Sequence, residues 1–307
     1  MIKNGIARIL ISVKNLNESV EFYRDIFQMT VVGEYSLDRN TIEQLWNLPQ
    51  GTTGRAVCLK NNEQTTLIEL IEFQPNSGKC IRSGNTTDYG LFTIAFRAKN
   101  VDAIYDRLQQ QGYQFICPPV TYTPTWVPVT VKETIAIGPD ETPIVAIERL
   151  TEPKPAIEGD FGVMLDVSQV VEDMEEITKF YVDILGLNKV FDRVLPSGSI
   201  DDILNLPKGT ESRMAFINQP ESNNPALEFI QCSVKGKPLA DVAKPLYLGL
   251  FAIAFAVEDL SALIQKLQAN KIEILSEPVE ISILESKRAK AIVVEAPNGV
   301  SIQLFES

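Results

Sequence analysis

The chain has no histidine among its 307 residues, and this absence restricts its chemistry more than any other feature. Without imidazole there is no Ser-His-Asp triad, no Cys-His pair and no metal site that depends on histidine ligands. The four cysteines, Cys58, Cys80, Cys117 and Cys232, form no CxxC pair, so neither a disulfide framework nor a zinc site is expected. We therefore predict a protein without a resident metal or other cofactor.

Long apolar runs and an excess of basic charge are also missing. No apolar stretch approaches the ~20 residues of a membrane span, and the N-terminus lacks the basic-then-apolar order of a signal peptide. The net charge of −12 opposes binding to nucleic acid or to anionic membranes. We expect a cytoplasmic protein without either partner, and its length and 45% apolar content suit about two domains with real cores.

What the chain does have is a long internal repeat. The string "GLFTIAFRAKN" at residues 90–100 returns 159 positions later as "GLFAIAFAVED" at residues 249–259. Likewise "TIEQLWNLPQGT" at residues 41–52 returns 158 positions later as "SIDDILNLPKGT" at residues 199–210. Such self-similarity indicates the architecture, so the chain consists of two near-copies of one sequence.

Within each copy the pattern is strand, helix and several strands, and this order occurs twice. Each copy is thus βαβββ–βαβββ, with helices on one face of a sheet, which predicts an α+β fold. Between the copies, "TEPKPAIEGD" carries two prolines and several charges and suits an exposed linker. We predict an N-terminal module, a linker and a C-terminal module over residues 1–150, 151–160 and 161–307.

Several motifs resemble those of the vicinal-oxygen-chelate superfamily, which includes glyoxalase I, extradiol dioxygenases and bleomycin-resistance proteins. They are "FYRDIF" and "FYVDILGL" after a strand and Asn or Asp, "GLFTIAF" before the second helix, and the closing "GPDETPIVAIE" and "APNGVSIQLFE". The resemblance runs from Ile6 to Glu306. It implies curved, mostly antiparallel sheets that form cups with helices on their outer face, each cup holding a ligand or a divalent metal.

The resemblance also places the family's four metal-ligand positions on each copy. In the first copy these positions hold Arg8, Glu69, Thr93 and Val145, and in the second copy Asp166, Glu228, Ala252 and Gln303. The family's histidine position thus holds a threonine in one copy and an alanine in the other. Neither set is a plausible iron or zinc site, because those metals favour imidazole with carboxylate.

How the positions combine is left open by the sequence. A cup can be built from one copy, or the two copies can exchange halves. Exchange would group Arg8 and Glu69 with Ala252 and Gln303, and would group Asp166 and Glu228 with Thr93 and Val145. Copies of equal length fit either arrangement.

Strand alternation supports placing these residues inside the cups. In the first strand, Ile9 points to the helices and its neighbour Arg8 to the cup. In the repeated strand, we expect Phe92 to face the helices and Leu91 and Thr93 to face the cup.

The ionisable residues at these positions allow two interpretations. Arg8 and Glu69 can form a buried structural ion pair, or Arg8 can bind an anionic or carbonyl oxygen while Glu69 moves a proton. Two carboxylates in one cavity, Asp166 and Glu228, would repel, so one would hold a proton and act as acid or base. With Gln303 they can instead bind magnesium or calcium through oxygen alone.

Two aromatic residues near one cup are further candidates. Tyr122 and Trp126 lie between prolines in "TYTPTWVP", where they can form an aromatic lid or an ordinary exposed loop. We predict that substrate contacts come from these two residues and from the uncharged strand positions, namely Thr93, Val145, Ala252 and Gln303.

Together these features predict a metal-independent enzyme that acts on a small organic molecule by proton transfer, isomerisation, elimination or cyclisation. Its catalytic residues would be Arg8, Glu69, Asp166 and Glu228. The alternatives are a non-catalytic protein that sequesters a drug or metabolite, an enzyme with an oxygen-only divalent metal site, and a scaffold whose cups are packed shut. We expect a monomer or homodimer, since one chain supplies both modules, and the fold alone leaves the substrate and the reaction open.

Overall fold

The computed structural model describes residues 1–61, 63–124, 127–284 and 287–307, with Leu284 and Lys287 described by their backbone alone. Trp126, predicted as part of an aromatic lid, lies outside the described residues. Within these ranges, no helix combines the length and the apolar character needed to cross a bilayer.

The described strands fall into four successive groups of four, which we call units 1 to 4. Unit 1 contains Ile2–Ser12 (β1), Thr30–Leu37 (β2), Thr53–Lys60 (β3) and Leu67–Gln74 (β4). Unit 2 contains Gly90–Ala98 (β5), Phe115–Tyr122 (β6), Val131–Ile137 (β7) and Pro143–Arg149 (β8). Unit 3 contains Phe161–Val170 (β9), Asn188–Val194 (β10), Ser212–Asn218 (β11) and Ala226–Cys232 (β12). Unit 4 contains Gly249–Val257 (β13), Val279–Leu284 (β14), Lys287–Glu295 (β15) and Ser301–Glu306 (β16).

A helix follows the first strand of every unit, and its N-cap explains where it begins. These helices are Leu16–Glu21 (α1), Val101–Gln110 (α3), Met174–Lys179 (α4) and Leu260–Ala269 (α6). Each is preceded by an Asn or Asp whose side chain accepts a hydrogen bond from the first turn. The "FY-DI" motif lies in a π-helical turn that extends α1 over Phe22–Ile26 and α4 over Phe180–Ile184. Units 1 and 3 carry a second short helix, Arg39–Leu45 (α2) and Asp201–Leu204 (α5).

The strands form two eight-stranded sheets, and each sheet joins one unit from each repeat. Sheet 1 has the order β14-β15-β16-β13-β1-β4-β3-β2, and sheet 2 has the order β10-β11-β12-β9-β5-β8-β7-β6. Units 1 and 4 meet at the antiparallel pair β1–β13, and units 2 and 3 meet at β5–β9. The predicted α+β fold of paired βαβββ units is confirmed, and of the two arrangements left open, the structure adopts the exchange of halves.

One large hydrophobic core joins the outer faces of both sheets. It contains Ile9 of sheet 1 and Phe96 of sheet 2 together with the apolar faces of the unit helices. The ring of Phe27, just after α1, lies 4.6 Å from the ring of Phe96 and 4.3 Å from that of Phe161. A helix of unit 1 is thus packed against the sheet built from units 2 and 3, which ties the two sheets together.

The inner face of each sheet has its own smaller core, and a bulge decides which residues reach it. Pairing of β5 with β9 shifts register between Leu91 and Ile94, so that Leu91 joins the outer core and Phe92 the inner one. The predicted faces of Leu91 and Phe92 are therefore wrong, because a β-bulge interrupts strict alternation. Thr93 lines the inner cavity, as predicted.

Candidate functional site

Each sheet encloses a cavity on its inner face. Cup 1, on sheet 1, holds a cavity of about 320 Å³, and Arg8, Glu69 and Gln303 line it. Cup 2, on sheet 2, holds a cavity of about 100 Å³, and Asp166 and Glu228 line it. The ionisable residues singled out in the sequence thus all face cavities, distributed as the exchanged arrangement requires.

Three carboxyl side chains line cup 2, each from a different strand. Asp166 comes from β9, Glu228 from β12 and Glu133 from β7. The rest of the wall is largely apolar, with Phe92, Ile135, Ile147 and Met214 from the strands and Ile200, Ile203 and Leu204 at α5. Charged groups therefore share a small space with few polar neighbours.

Strand β9 aims Asp166 into the cup because its other face is anchored in the outer core. Val167 belongs to that core, and the buried Gln169 amide donates a hydrogen bond to the Tyr181 hydroxyl at 2.9 Å. Asp166 and Ser168, on the alternate positions, line the cavity. Asp166 is 6% exposed, and its Oδ1 has no hydrogen-bond partner among the described residues. One carboxyl oxygen is thus available to a ligand.

The environment of cup 2 raises the pKa of all three carboxyl groups. Burial, and then the charge of Glu133, raises the pKa of Asp166 to about 7, although Arg97 opposes the shift. Burial raises the pKa of Glu133 to about 7, while a hydrogen bond from the Tyr122 hydroxyl at 2.7 Å lowers it. Burial and the charges of Asp166 and Glu133 raise the pKa of Glu228 well above its ordinary value. Groups poised in this way can take up and release protons near neutral pH.

The uncharged side chains predicted to contact a substrate also line cup 2. The Thr93 and Ser168 hydroxyl oxygens lie 2.6 Å apart, and the Thr93 N–H donates to the same Ser168 oxygen at 3.0 Å. Val145 lines the cavity without offering a polar atom. Tyr122 lines it too, and its hydroxyl reaches Glu133. Tyr122 is therefore part of the polar wall of cup 2.

In cup 1 the ionisable groups are paired with one another. The Arg8 guanidinium, 3% exposed, donates to Glu69 Oε2 at 2.7 Å and to the Ile283 carbonyl at 2.6 Å. The Tyr35 hydroxyl donates to the other Glu69 oxygen. Burial alone would lower the pKa of Arg8, but the Glu69 carboxylate raises it, so the guanidinium stays charged. Burial and the Glu69 charge likewise raise the pKa of Tyr35, which stays a neutral donor.

The other two predicted positions of cup 1 differ in their access to the cavity. Gln303 is 4% exposed and lines the cavity, and its Oε1 has no hydrogen-bond partner among the described residues. Ala252 is fully buried in the inner core of sheet 1, paired with Leu10, and lies outside the lining of this cavity.

Several cavity residues were not predicted from the sequence. Glu133 is the clearest example of a cavity residue that the sequence could have predicted. In "VKETIAI" it is the one charged residue on a strand face that is otherwise apolar. Tyr35 gave no comparable signal, since its role depends on Glu69 of a different strand. Arg288, an exposed residue of β15, also lines cup 1.

Comparison with known proteins agrees with the fold and the cups. The Glyoxalase/Bleomycin resistance protein/Dioxygenase superfamily matches residues 5–126 and 164–304. The chain belongs to this superfamily, as the sequence motifs had indicated. No curated protein matches the sequence.

Among solved structures, the chain is similar to glyoxalase I from Zea mays and to a putative dioxygenase from Bacillus subtilis. Glyoxalase I has a TM-score of 0.65 and 16% sequence identity, over 98% of this chain and 92% of that one. The putative dioxygenase has a TM-score of 0.58 and 12% identity, over 99% and 86%. Similarity at this level of identity shows the fold alone, so the chemistry has to be read from the cups.

The residues present do not fit the divalent ion that the family resemblance implies. In cup 1 the Arg8 guanidinium occupies a ligand position and binds Glu69 itself, and Ala252 offers no donor atom. In cup 2, Val145 offers no donor atom, and Thr93 is bound to Ser168. Across the described ranges, no three His, Cys, Asp or Glu side chains are grouped so as to hold a metal ion. The family's histidine-and-carboxylate donor set is therefore not reproduced in either cup.

Proposed function

We propose that the protein is a metal-independent enzyme that moves a proton on a small organic molecule bound in cup 2. One observation carries the proposal, which is the lining of a small, largely apolar cavity by three carboxyl groups, one with a free oxygen. Pairs of acids whose environments shift their pKa values are a common basis for general acid–base catalysis.

The arrangement supports a division of roles. Asp166, whose Oδ1 has no partner, would act as the base and take a proton from a carbon next to a carbonyl group. Glu228, whose pKa is raised well above its ordinary value by burial and by neighbouring charges, would donate a hydrogen bond to the carbonyl oxygen as negative charge develops there. Returning the proton to the same or a neighbouring carbon completes an exchange or isomerisation without a co-reactant.

Glu133 and Tyr122 would support the acid and the base without touching the reacting atoms. The Tyr122 hydroxyl fixes one Glu133 oxygen, so the charge of Glu133 stays near Asp166 and keeps its pKa raised. The catalytic pair of the proposal is thus Asp166 and Glu228. Arg8 and Glu69, saturated by mutual contacts in cup 1, would hold that cup together.

Deuterium exchange tests this proposal without knowledge of the substrate. The protein is incubated in D₂O with a mixture of small carbonyl compounds, and mass spectrometry follows each compound for a gain of one mass unit. We expect exchange with the unmodified protein, and at least a hundredfold slower exchange with Asp166→Asn or Glu228→Gln, in line with the usual contribution of general acid–base groups.

The controls are Asp106→Asn and Glu211→Gln, which make the same chemical changes on the exposed surface. Both should exchange at the unmodified rate. Equal rates in all variants, or no exchange in any compound, would count against proton transfer in cup 2.

A second candidate function is storage or sequestration of a small molecule in cup 1. The observation that favours it is the larger cavity, in which Arg8, Glu69 and Tyr35 already satisfy one another while the Gln303 oxygen is free. Such a site can bind a ligand that donates a hydrogen bond without reacting with it. A compound that copurifies and is recovered unaltered after long incubation would favour this function.

The proposal also covers the location, the oligomeric state and the partners of the protein. We propose a cytoplasmic monomer or homodimer that acts on a small molecule and binds no nucleic acid or membrane, in line with its net charge of −12.

A further inference from the structure

We propose that the ligand of cup 2 is a small organic cation, such as a protonated amine or a compact ammonium compound. The inference names the ligand class for the site of the proposed function and rests on that function's location in cup 2.

The carboxyl groups of cup 2 have no cationic partner in the part of the chain that the structure describes. Among the described residues, no lysine or arginine forms an ion pair with Glu133, Asp166 or Glu228. Glu133 is bound by the neutral Tyr122 hydroxyl, and Asp166 Oδ1 has no partner. Arg97 of β5 affects Asp166 only through longer-range attraction.

The repeat shows what cup 2 lacks in comparison with cup 1. Glu69 and Glu228 are equivalent positions, and so are Arg8 and Asp166. In cup 1 the first-strand residue is a guanidinium that binds the glutamate at 2.7 Å. In cup 2 the same position adds a second carboxyl group, so a cationic ligand would supply the positive charge that Arg8 supplies in cup 1.

Physical chemistry then separates the possible ligands by charge. A carboxylate in an apolar cavity is costly unless a positive group pairs with it, so a cationic ligand gains what the protein does not provide. The carboxylates would repel an anionic ligand. A neutral ligand could at most donate a hydrogen bond to the Asp166 oxygen, without the attraction between opposite charges. A bound cation also favours the ionised carboxylates, so its binding should release protons.

The cavity sets the size of this ligand. At about 30 Å³ for each water in the liquid, the cavity of about 100 Å³ holds roughly three waters, so it suits a compact molecule of about five heavy atoms. The apolar side chains Met214 and Phe216 line it together with Ile203 and can cover the alkyl part of such a molecule. The acidic residues would bind its charged end.

Three probes of one shape and different charge test the inference, namely butylammonium, 1-butanol and butyrate. Isothermal titration calorimetry at pH 7.5 should show butylammonium binding at least tenfold more tightly than 1-butanol, with no binding of butyrate. Repeating the titration in two buffers of different ionisation enthalpy should reveal proton release with butylammonium and none with 1-butanol. The groups that set this release are Glu133, Asp166 and Glu228, with Tyr122 and Arg97 acting on them.

Variants add a second test. Asp166→Asn and Glu228→Gln should each weaken butylammonium at least tenfold and change 1-butanol little, whereas Asp106→Asn and Glu211→Gln should bind both probes as the unmodified protein does. Equal or tighter binding of 1-butanol by the unmodified protein, or unchanged cation affinity in both cup 2 variants, overturns the inference.

The outcome can be separated from that of the proposed function. None of the probes is an aldehyde or a ketone, so their binding reports the effect of ligand charge and not proton exchange next to a carbonyl group. Exchange that depends on Asp166 without preference for cations would refute the ligand class and leave the function standing. Binding of the cation without deuterium exchange in any compound would refute the proposed function and leave the ligand class standing.

Discussion

Two equivalent residues, Arg8 and Asp166, show how a single position sets the chemistry of a cup. Arg8 closes an ion pair with Glu69 that is buried on both sides, with side-chain exposures of 3% and 4%. Asp166 instead adds negative charge beside Glu228, and burial together with this charge raises the pKa of Glu228. One cup is therefore electrostatically satisfied by its own side chains, and the other is not.

The buried pair in cup 1 can be tested by removing one partner or both. Arg8→Met leaves Glu69 buried without its cation, so we expect unfolding to become easier by about 3–5 kcal/mol. The double variant Arg8→Met/Glu69→Leu removes the stranded charge and should recover much of that loss. Urea unfolding measures both, and equal losses in the single and double variants would contradict the argument.

A matched control lies on the same sheet. The pair Arg55 and Glu72 has a nitrogen–oxygen distance of 2.6 Å, but Arg55 is half exposed. Removing it should cost less than about 1 kcal/mol, because water competes with an exposed ion pair.

The raised pKa of Asp166 makes a prediction about pH and stability. The folded value of about 7 lies above the unfolded value of about 3.9, so the folded state binds the proton more tightly. The contribution of this group is then most favourable below pH 4 and is lost as the pH rises towards 7. At about 1.4 kcal/mol per pKa unit, we expect unmodified protein to lose about 4 kcal/mol relative to Asp166→Asn between pH 4 and pH 8.

The difference between the two proteins is the quantity to measure, because carboxylates outside cup 2 titrate in the same way in both. Asp192 behaves in the opposite way. Its hydrogen bond from Arg213 lowers its pKa, so its stabilising contribution is lost as the pH falls. A difference in unfolding free energy that stays constant with pH would show that Asp166 ionises as freely in the folded state as in the unfolded chain.

At the scale of the strand, the sequence predicted much, and its failures have local causes. Alternation correctly directed Arg8 towards a cavity because its neighbours Ile9 and Ile11 belong to the outer core, whereas the family resemblance placed Asp166. Alternation failed at Leu91 and Phe92, where a bulge shifts the pairing of β5 with β9. A bulge depends on the partner strand, which is distant in sequence, so it cannot be predicted from the sequence of one strand alone.

Other elements were readable for similar local reasons. The Asn and Asp residues that cap the unit helices lie next to them, and a cap acts over three or four residues. The grouping of Glu133 with Asp166 and Glu228 required the order of sheet 2, where β7 and β9 are separated by β8 and β5. Proximity of this kind is a property of the assembled sheet.

For the whole molecule, the exchange of units is the feature with the widest consequence. Each sheet takes four strands from before the linker and four from after it. The copies have nearly equal length and similar motifs, so both arrangements satisfy the same sequence patterns. Only the contacts between units distinguish them.

The exchange of units between the two sheets predicts that the fold stays assembled after the linker is cut. A protease site placed within residues 151–160, which are mostly exposed, would separate the two predicted modules covalently. We expect the halves to elute together on size exclusion and to unfold in one transition, because the pairs β1–β13 and β5–β9 still join them. Two separate fragments after cleavage, each with its own unfolding transition, would contradict this assembly.

The exchanged sheets also bring the two described ends of the chain together. The Met1 amine lies 3.3 Å from the Glu258 carboxylate, and the Lys3 ammonium binds the Ser307 carbonyl. A short peptide joining these ends, with new ends opened in the linker, would preserve every strand pair in a circularly permuted chain. Cup 1 would then be formed by consecutive units and cup 2 by the two extremities, the reverse of the natural order. Connectivity is thus interchangeable between the cups, and what distinguishes them is the side chains that each one holds.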